Sequence, residues 1–297
     1  MSVQMPQVGP SARAGQAAIA DRRFQHYQGK RLGVGYSFVR LLIHSMGWVL
    51  GLKRSARYKI VPAIVLLAAF LPAVGFIIAV TVAPPGTPIP TYADFYAFTL
   101  PSIYIFVALT MPELICPDRR HGTLRMYMTS NLNPPLYLAA KVLAGWAVLA
   151  LVTLAPVLLV LGAYSLFGHG PDGVGGFFKT LAQIVGAGLE MAMFYGTISL
   201  AIASLTDRNS FAAAGIILTF VLSGAALGIL EGPLHAPDWV MLVNVNQLPS
   251  NLMLRIYDAP AASGFTTPTW QLAAAAAGWI VAGLGVLGFR YRGEGRN

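Results

Sequence analysis

The chain has 297 residues, of which 56% are hydrophobic and only 10% charged, against about 25% charged in an average soluble domain. A soluble protein of that composition could not cover its surface with polar groups, so these side chains suit a lipid solvent. The formal net charge of +9 does not mark a nucleic-acid binder, because the basic residues flank apolar runs, and the single cysteine, Cys116, excludes an internal disulfide and any CxxC pair.

In chain order, residues 1–35 read as a cytoplasmic, flexible tail. The first twenty hold no apolar core of signal-peptide type, so the chain is expected to stay whole. Within 36–52, Phe38, Leu41, Leu42, Met46, Val49 and Leu50 share one side of a helix, and Arg40, His44, Gly47 and Gly51 the other. This amphipathic pattern predicts a helix in the inner membrane interface, which with a basic linker fills 36–59. The alternative is a short buried helix packed on the spans. Six apolar runs follow, at 60–82, 95–116, 138–167, 178–205, 211–230 and 272–289, each near the roughly 20 residues a crossing needs. The third and fourth exceed the bilayer and should project or tilt. Pro72, Pro101 and Pro156 lie inside spans and predict kinks. The fold class is therefore all-α and polytopic, with a six-helix transmembrane domain over 60–290 and a cytoplasmic tail over 291–297.

Two connections stand out. Residues 117–135 form a polar link between spans two and three. Residues 231–270 are longer than a connector needs and carry Pro233, Pro237, Pro249, Pro260 and Pro268. Between those prolines, 239–243 reads as an apolar turn capped by Asp238, dipping into the outer leaflet with Trp239 at the headgroups.

Every Lys and Arg except Lys179 and Arg255 falls on one side of this layout. The positive-inside rule then places both termini in the cytoplasm and the chain in a plasma or inner membrane.

Searches for chemistry return little. The sequence holds no GxxxxGK[ST], HExxH or GxSxG pattern, so no enzyme activity is expected of this chain. Gly283-Leu-Gly-Val-Leu-Gly288 matches a dinucleotide pattern inside the last span, without the strand that pattern requires, and reads as small residues in a membrane helix. The histidines His26, His44, His121, His169 and His235 lack metal-ligand spacing, and no metal site is predicted. Glu190 is the acid near the middle of a span, where insertion costs about 2.5–3.5 kcal/mol, so it should face protein or water. It reads either as a polar point in a translocation path, sensitive to protons, or as a hydrogen-bonded structural residue. Glu113, nearer the cytoplasmic end of span two, is placed to pair with Arg119 or Arg120. Gly224 and Gly228 form a GxxxG in the fifth span, a candidate helix–helix interface.

The link carries the most specific signal. Leu124, Tyr127 and Met128, at i, i+3 and i+4, share one face of a short helix. Asn133 and Pro134 read as the N-cap and first residue of the next helix. The order Glu113, then Asp118-Arg119-Arg120, Gly122-Thr123-Leu124, Tyr127-Met128 and finally Lys141 resembles the membrane subunits of ATP-binding-cassette exporters of the second type. It departs from them in having Arg125 where an acid often stands, and Thr129 to Pro135 where a Thr-Pro break is usual. The layout of nearly the whole chain is similar too: an interfacial helix, six spans, and a long outer loop with re-entrant helices before span six.

That resemblance implies a permease subunit of an exporter. It would pair with a second copy or a related permease, and with separate ATPase subunits that bind ATP and Mg. Glu113, Arg119, Arg120, Gly122, Thr123, Leu124, Tyr127 and Met128 would then form the coupling element that enters a cleft of the ATPase. The span-five glycines would lie near the permease–permease boundary. The substrate class stays open among lipids, drugs, peptides and polymers. The alternatives are a non-transporting membrane anchor or sensor, and a secondary transporter, which would show inverted repeats and several intramembrane charges.

Overall fold

The computed structural model describes residues 33–52, 56–82, 84, 87, 89–122, 132–231, 237, 239–259 and 267–294. Among these residues there are nine helices and no strand. They are α1 (Val34–Val49), α2 (Ala56–Val82), α3 (Tyr92–Arg120), α4 (Pro134–Leu166), α5 (Gly173–Ala203), α6 (Asn209–Glu231), α7 (Val240–Val243), α8 (Gln247–Ile256) and α9 (Thr269–Glu294). Six of them, α2 to α6 and α9, are long and apolar enough to cross a membrane, and they coincide with the six predicted runs. The chain is thus an all-α, multi-pass membrane protein. At 33 residues, α4 is about 50 Å long and outreaches a hydrocarbon layer of about 30 Å.

The spans are not equivalent. Of the apolar window of α5, 72% is buried inside the protein, against 12% for α6, 22% for α9 and 28% for α2. So α5 is the central post, with α3 and α4 against it and three spans at the rim. Lipid tails are as apolar as leucine, so helices associate here by close fit more than by exclusion of water. The closest fits are at glycines. A Cβ on Gly188 would lie 2.2 Å from Leu154 of α4, and one on Gly283 would lie 2.8 Å from Thr197 of α5. Gly283 of the dinucleotide-like run is therefore a packing residue for α9 on α5. Hydrogen bonds add to the α4–α5 contact: Thr153 donates to the Gly188 carbonyl (2.9 Å) and the Trp146 indole to Thr197 (3.0 Å).

Three features differ from the sequence-based expectation. First, α3 begins at Tyr92, ahead of the apolar run, because Thr91 and Asp94 form a capping box. The Thr91 amide donates to Asp94 (2.8 Å) and the Asp94 amide to Thr91 (3.3 Å), satisfying two otherwise orphaned helix-start donors. Second, α1 packs on α3 and α4 through buried Leu41, Ser45 and Val49, and leaves Val39 and Ile43 exposed. Gly47 and Gly51, assigned by the helical wheel to the polar side, are buried.

Third, the segment before α9 holds more than the turn at α7. Helix α8 inserts against α5 and α9, burying Leu248, Leu252 and Met253. Pro249 masks it in the sequence, yet a proline in the first turn removes only a donor that has no intrahelical partner. The irregular backbone between α7 and α8 is satisfied by side chains. Asn244 donates to the Ser223 carbonyl (2.6 Å) and accepts from the amides of Asn246 and Gln247 (3.0 and 2.9 Å). Asn246 donates to the Phe220 carbonyl (3.0 Å), and Trp279 to that of Leu242 (3.1 Å). Non-helical backbone at membrane depth is tolerated where protein supplies such partners.

Candidate functional site

The charged motif of the sequence lies at the end of α3, next to the start of α4 and the turn between α5 and α6. Gly122, at φ +66°, closes α3 in the left-handed region that glycine enters without a Cβ penalty. The His121 amide bonds back to the Pro117 carbonyl (3.0 Å) and the Gly122 amide to that of Arg119 (3.1 Å). Arg119 and Arg120 fall in the last turn, where positive charge complements the helix dipole.

Most of the motif is engaged within the subunit. Asp118 accepts from the Tyr137 hydroxyl (2.6 Å) and pairs with Lys141 (2.7 Å), both on the opening turns of α4. The Lys141 side chain is buried and also sits over the Tyr137 ring, 5.6 Å from its centroid. Arg119 pairs with Asp207 (3.2 Å) and donates to the Ser204 carbonyl. Where Arg119 or Arg120 was the expected partner of Glu113, its carboxylate accepts from Asn209 (3.0 Å) at the start of α6. The end of α3 is therefore fastened to α4 on one side and to the α5–α6 turn on the other. Ser204, Asp207 and Asn209 were not identified from sequence, since they lie 85 to 96 positions from their partners and no local spacing announces them.

Residues 123–131 leave from this braced end and return at Asn133, which is extended at the N-cap position of α4 with Pro134 first in the helix. The Asn133 side chain makes no capping bond. Thr123, Leu124, Tyr127 and Met128 lie outside the described residues. Arg120 and Gly122 are exposed. Beside the junction, a pocket of about 220 Å³ lies between α1 and the ends of α3 and α4, lined by Ser45, Trp48, Glu113, Asp118 and Lys141 among others.

Glu190 lies on α5, the most buried span, and both its carboxylate oxygens are buried without a hydrogen-bond partner among the described residues. The phenols of Tyr96 on α3 and Tyr195 on α5 stand within its electrostatic reach. Two turns along α5 from Glu190, Gln183 lines a cleft of about 670 Å³ with Thr91, Tyr92, Leu254, Tyr257 and Asp258. Asp258 pairs there with Lys179 (3.0 Å). Burial raises the Tyr257 phenol above its ordinary range, so it stays protonated.

The two glycines of α6 part company. A Cβ on Gly224 would stand 3.0 Å from the Asn246 amide, so this glycine admits the turn before α8 rather than a neighbouring span. Gly228 is exposed and faces open space.

No curated protein sequence matches this chain. A family model described as ABC-2 family transporter protein matches residues 78–289, from the end of α2 through nearly all of α9. The match covers well over half of the chain, and with its six membrane-crossing helices the chain belongs to the ABC-2 transporter family, as a transmembrane permease component of an ABC transporter.

Proposed function

We propose that this permease is half of an exporter's membrane domain and is driven through its cytoplasmic link by a separate ATPase subunit that binds ATP and Mg. The observation that carries this reading is the bracing of the link at both ends. Asp118 ties α3 to α4, and Arg119 ties it to the α5–α6 turn. A push on the short apolar helix at Leu124, Tyr127 and Met128 would therefore reach four spans at once. In this reading, the paired charges Asp118, Arg119 and Lys141 are transmission struts, and Arg120 with the apolar face of the link makes the contact. Two permease copies, or this one and a related chain, enclose the path, with the sparsely covered α6 near their boundary. Both termini lie in the cytoplasm of a plasma or inner membrane, which the one-sided distribution of Lys and Arg supports, and α1 lies in the inner interface.

Leu124→Asp and Tyr127→Asp test the coupling directly, because each would bury a charge without a partner in the ATPase cleft. The expected result is loss of ATPase co-purification while the spans stay folded. Undiminished binding by both variants would remove the link from the interface. Direction is read separately: ATP-dependent accumulation of substrate inside inverted vesicles is expected for an exporter.

A further inference from the structure

Ser45 of α1 is only 1% exposed, and its hydroxyl is buried without a hydrogen-bond partner among the described residues. A helical serine can bond back to the carbonyl one turn earlier, but this one does not. It lines the pocket of about 220 Å³ between α1 and the ends of α3 and α4. Glu113 and Asp118 of α3 line the same pocket, with Lys141 of α4. Glu113 accepts from Asn209, and Asp118 from Tyr137 and Lys141. A carboxylate offers about four acceptor positions, so each can take a further donor. The inner part of the pocket therefore suits a group with several N–H donors.

Its mouth has the opposite character. His44 and His121 are exposed there. Arg40, one turn before His44 on α1, is exposed as well, and its Nε donates to the Tyr36 hydroxyl (2.7 Å). The level of the pocket in the membrane follows from its neighbours in the sequence. The apolar run of α3 ends at Cys116 and that of α4 begins at Leu138, so Asp118 and Lys141 mark the level where hydrocarbon gives way to headgroups. Trp48, also in the lining, is a residue typical of that level. At about 30 Å³ per water, the pocket holds the volume of roughly seven waters, room for a short zwitterionic headgroup.

We propose that this pocket binds the headgroup of an ethanolamine phospholipid. In such a lipid the phosphate lies next to the glycerol and the primary amine at the tip, which matches a basic mouth over an acceptor-lined interior. The ammonium donates to Ser45, Glu113 and Asp118, and the phosphate meets Arg40 and His44. The lipid thereby ties α1 to the ends of α3 and α4. A choline headgroup carries methyl groups in place of the N–H donors and leaves Ser45 unsatisfied, so the two lipids are told apart by hydrogen bonding. The proposal depends neither on the ATPase partnership nor on the direction of transport.

Two measurements on the full-length chain test it. After purification from membranes of equal parts phosphatidylethanolamine and phosphatidylcholine, native mass spectrometry should show the ethanolamine lipid retained in several-fold excess. Ser45→Ala keeps the space but removes the hydroxyl, and should lower that preference several-fold; Ser45→Leu, which fills the pocket, should abolish it. Hydrogen exchange gives the second reading. The α1 amides of residues 41–49 should exchange several-fold more slowly in nanodiscs containing phosphatidylethanolamine than in phosphatidylcholine alone. Ethanolamine lipids also change bilayer packing, so the difference must shrink in Ser45→Ala to be assigned to the pocket. Equal retention of the two lipids, or a preference and protection unchanged in Ser45→Ala, would overturn the proposal. So would equal protection by soluble phosphoethanolamine in phosphatidylcholine nanodiscs, which would make the ligand a small amine from solution.

Discussion

At Asp118, two donors from one helix meet a carboxylate from another, and the surroundings exclude most of the water that would soften their loss. Lys141→Met removes a buried counter-ion from the half-buried Asp118, which should cost more than a single neutral hydrogen bond. Tyr137→Phe removes one hydrogen bond, about 1 kcal/mol. The two losses should add, since each substitution removes a different contact to Asp118. Thermal unfolding of the purified chain in lipid nanodiscs ranks the two, and equal losses for Lys141→Met and Tyr137→Phe would deny the ion pair its role. The positions of Glu113, Asp118, Arg119 and Lys141 were legible from the motif. Their partners were not, because Asp207 and Asn209 are ordinary turn residues whose meaning depends on a fold that brings α5 and α6 beside α3.

Whole helices were easier to read than their contacts. A bilayer imposes a minimum apolar length and a charge asymmetry, and both are printed in one sequence, so the six spans and their order emerged directly. Helix α8 was implied by the family resemblance alone, since Pro249 imitates a stop and its buried face carries Ser250 and Asn251 beside the leucines. Glycine spacing misled in a similar way. The GxxxG of α6 meets a side chain at one position and open space at the other, whereas the tightest approaches between spans, at Gly188 and Gly283, belong to no such pattern. Gly188→Val should therefore destabilise the fold by about 1–3 kcal/mol through overpacking, while Gly228→Val should leave the isolated subunit within about 0.5 kcal/mol. Denaturant titration of both proteins separates them, and equal stability would refute the packing assigned to Gly188. Helix direction has its own test: cysteines near Asp172 and Asp258 should label from outside cells, and one near Arg125 should not. Outside labelling at Arg125 would invert the topology.

For the molecule as a whole, the uneven burial of the spans leaves broad apolar faces on α2, α6 and α9. Side chains such as Leu218, Val221 and Leu222 on α6 and Leu67 and Leu71 on α2 are exposed, and either acyl chains or a second permease must cover them. If α6 lies at that boundary, Gly228→Leu should weaken self-association. Gly224→Leu should instead disturb the turn before α8. Cross-linking in native membranes, scored beside cleft accessibility, tells the two apart, and full dimerisation of Gly228→Leu would move the boundary elsewhere.

The side-chain scaffold around α7 and α8 also bears on how the protein is made. Polar as it is, α8 offers the translocation machinery no segment that would partition into lipid alone. Its resting place is built partly by α9, through Trp279 and the α8–α9 contact, and α9 leaves the ribosome after α8. Membrane insertion of α9 must then precede the seating of α8, so α8 settles out of chain order. A nascent chain arrested before Thr269 should carry this segment unseated and open to added protease, and should gain protection only when synthesis runs on through α9.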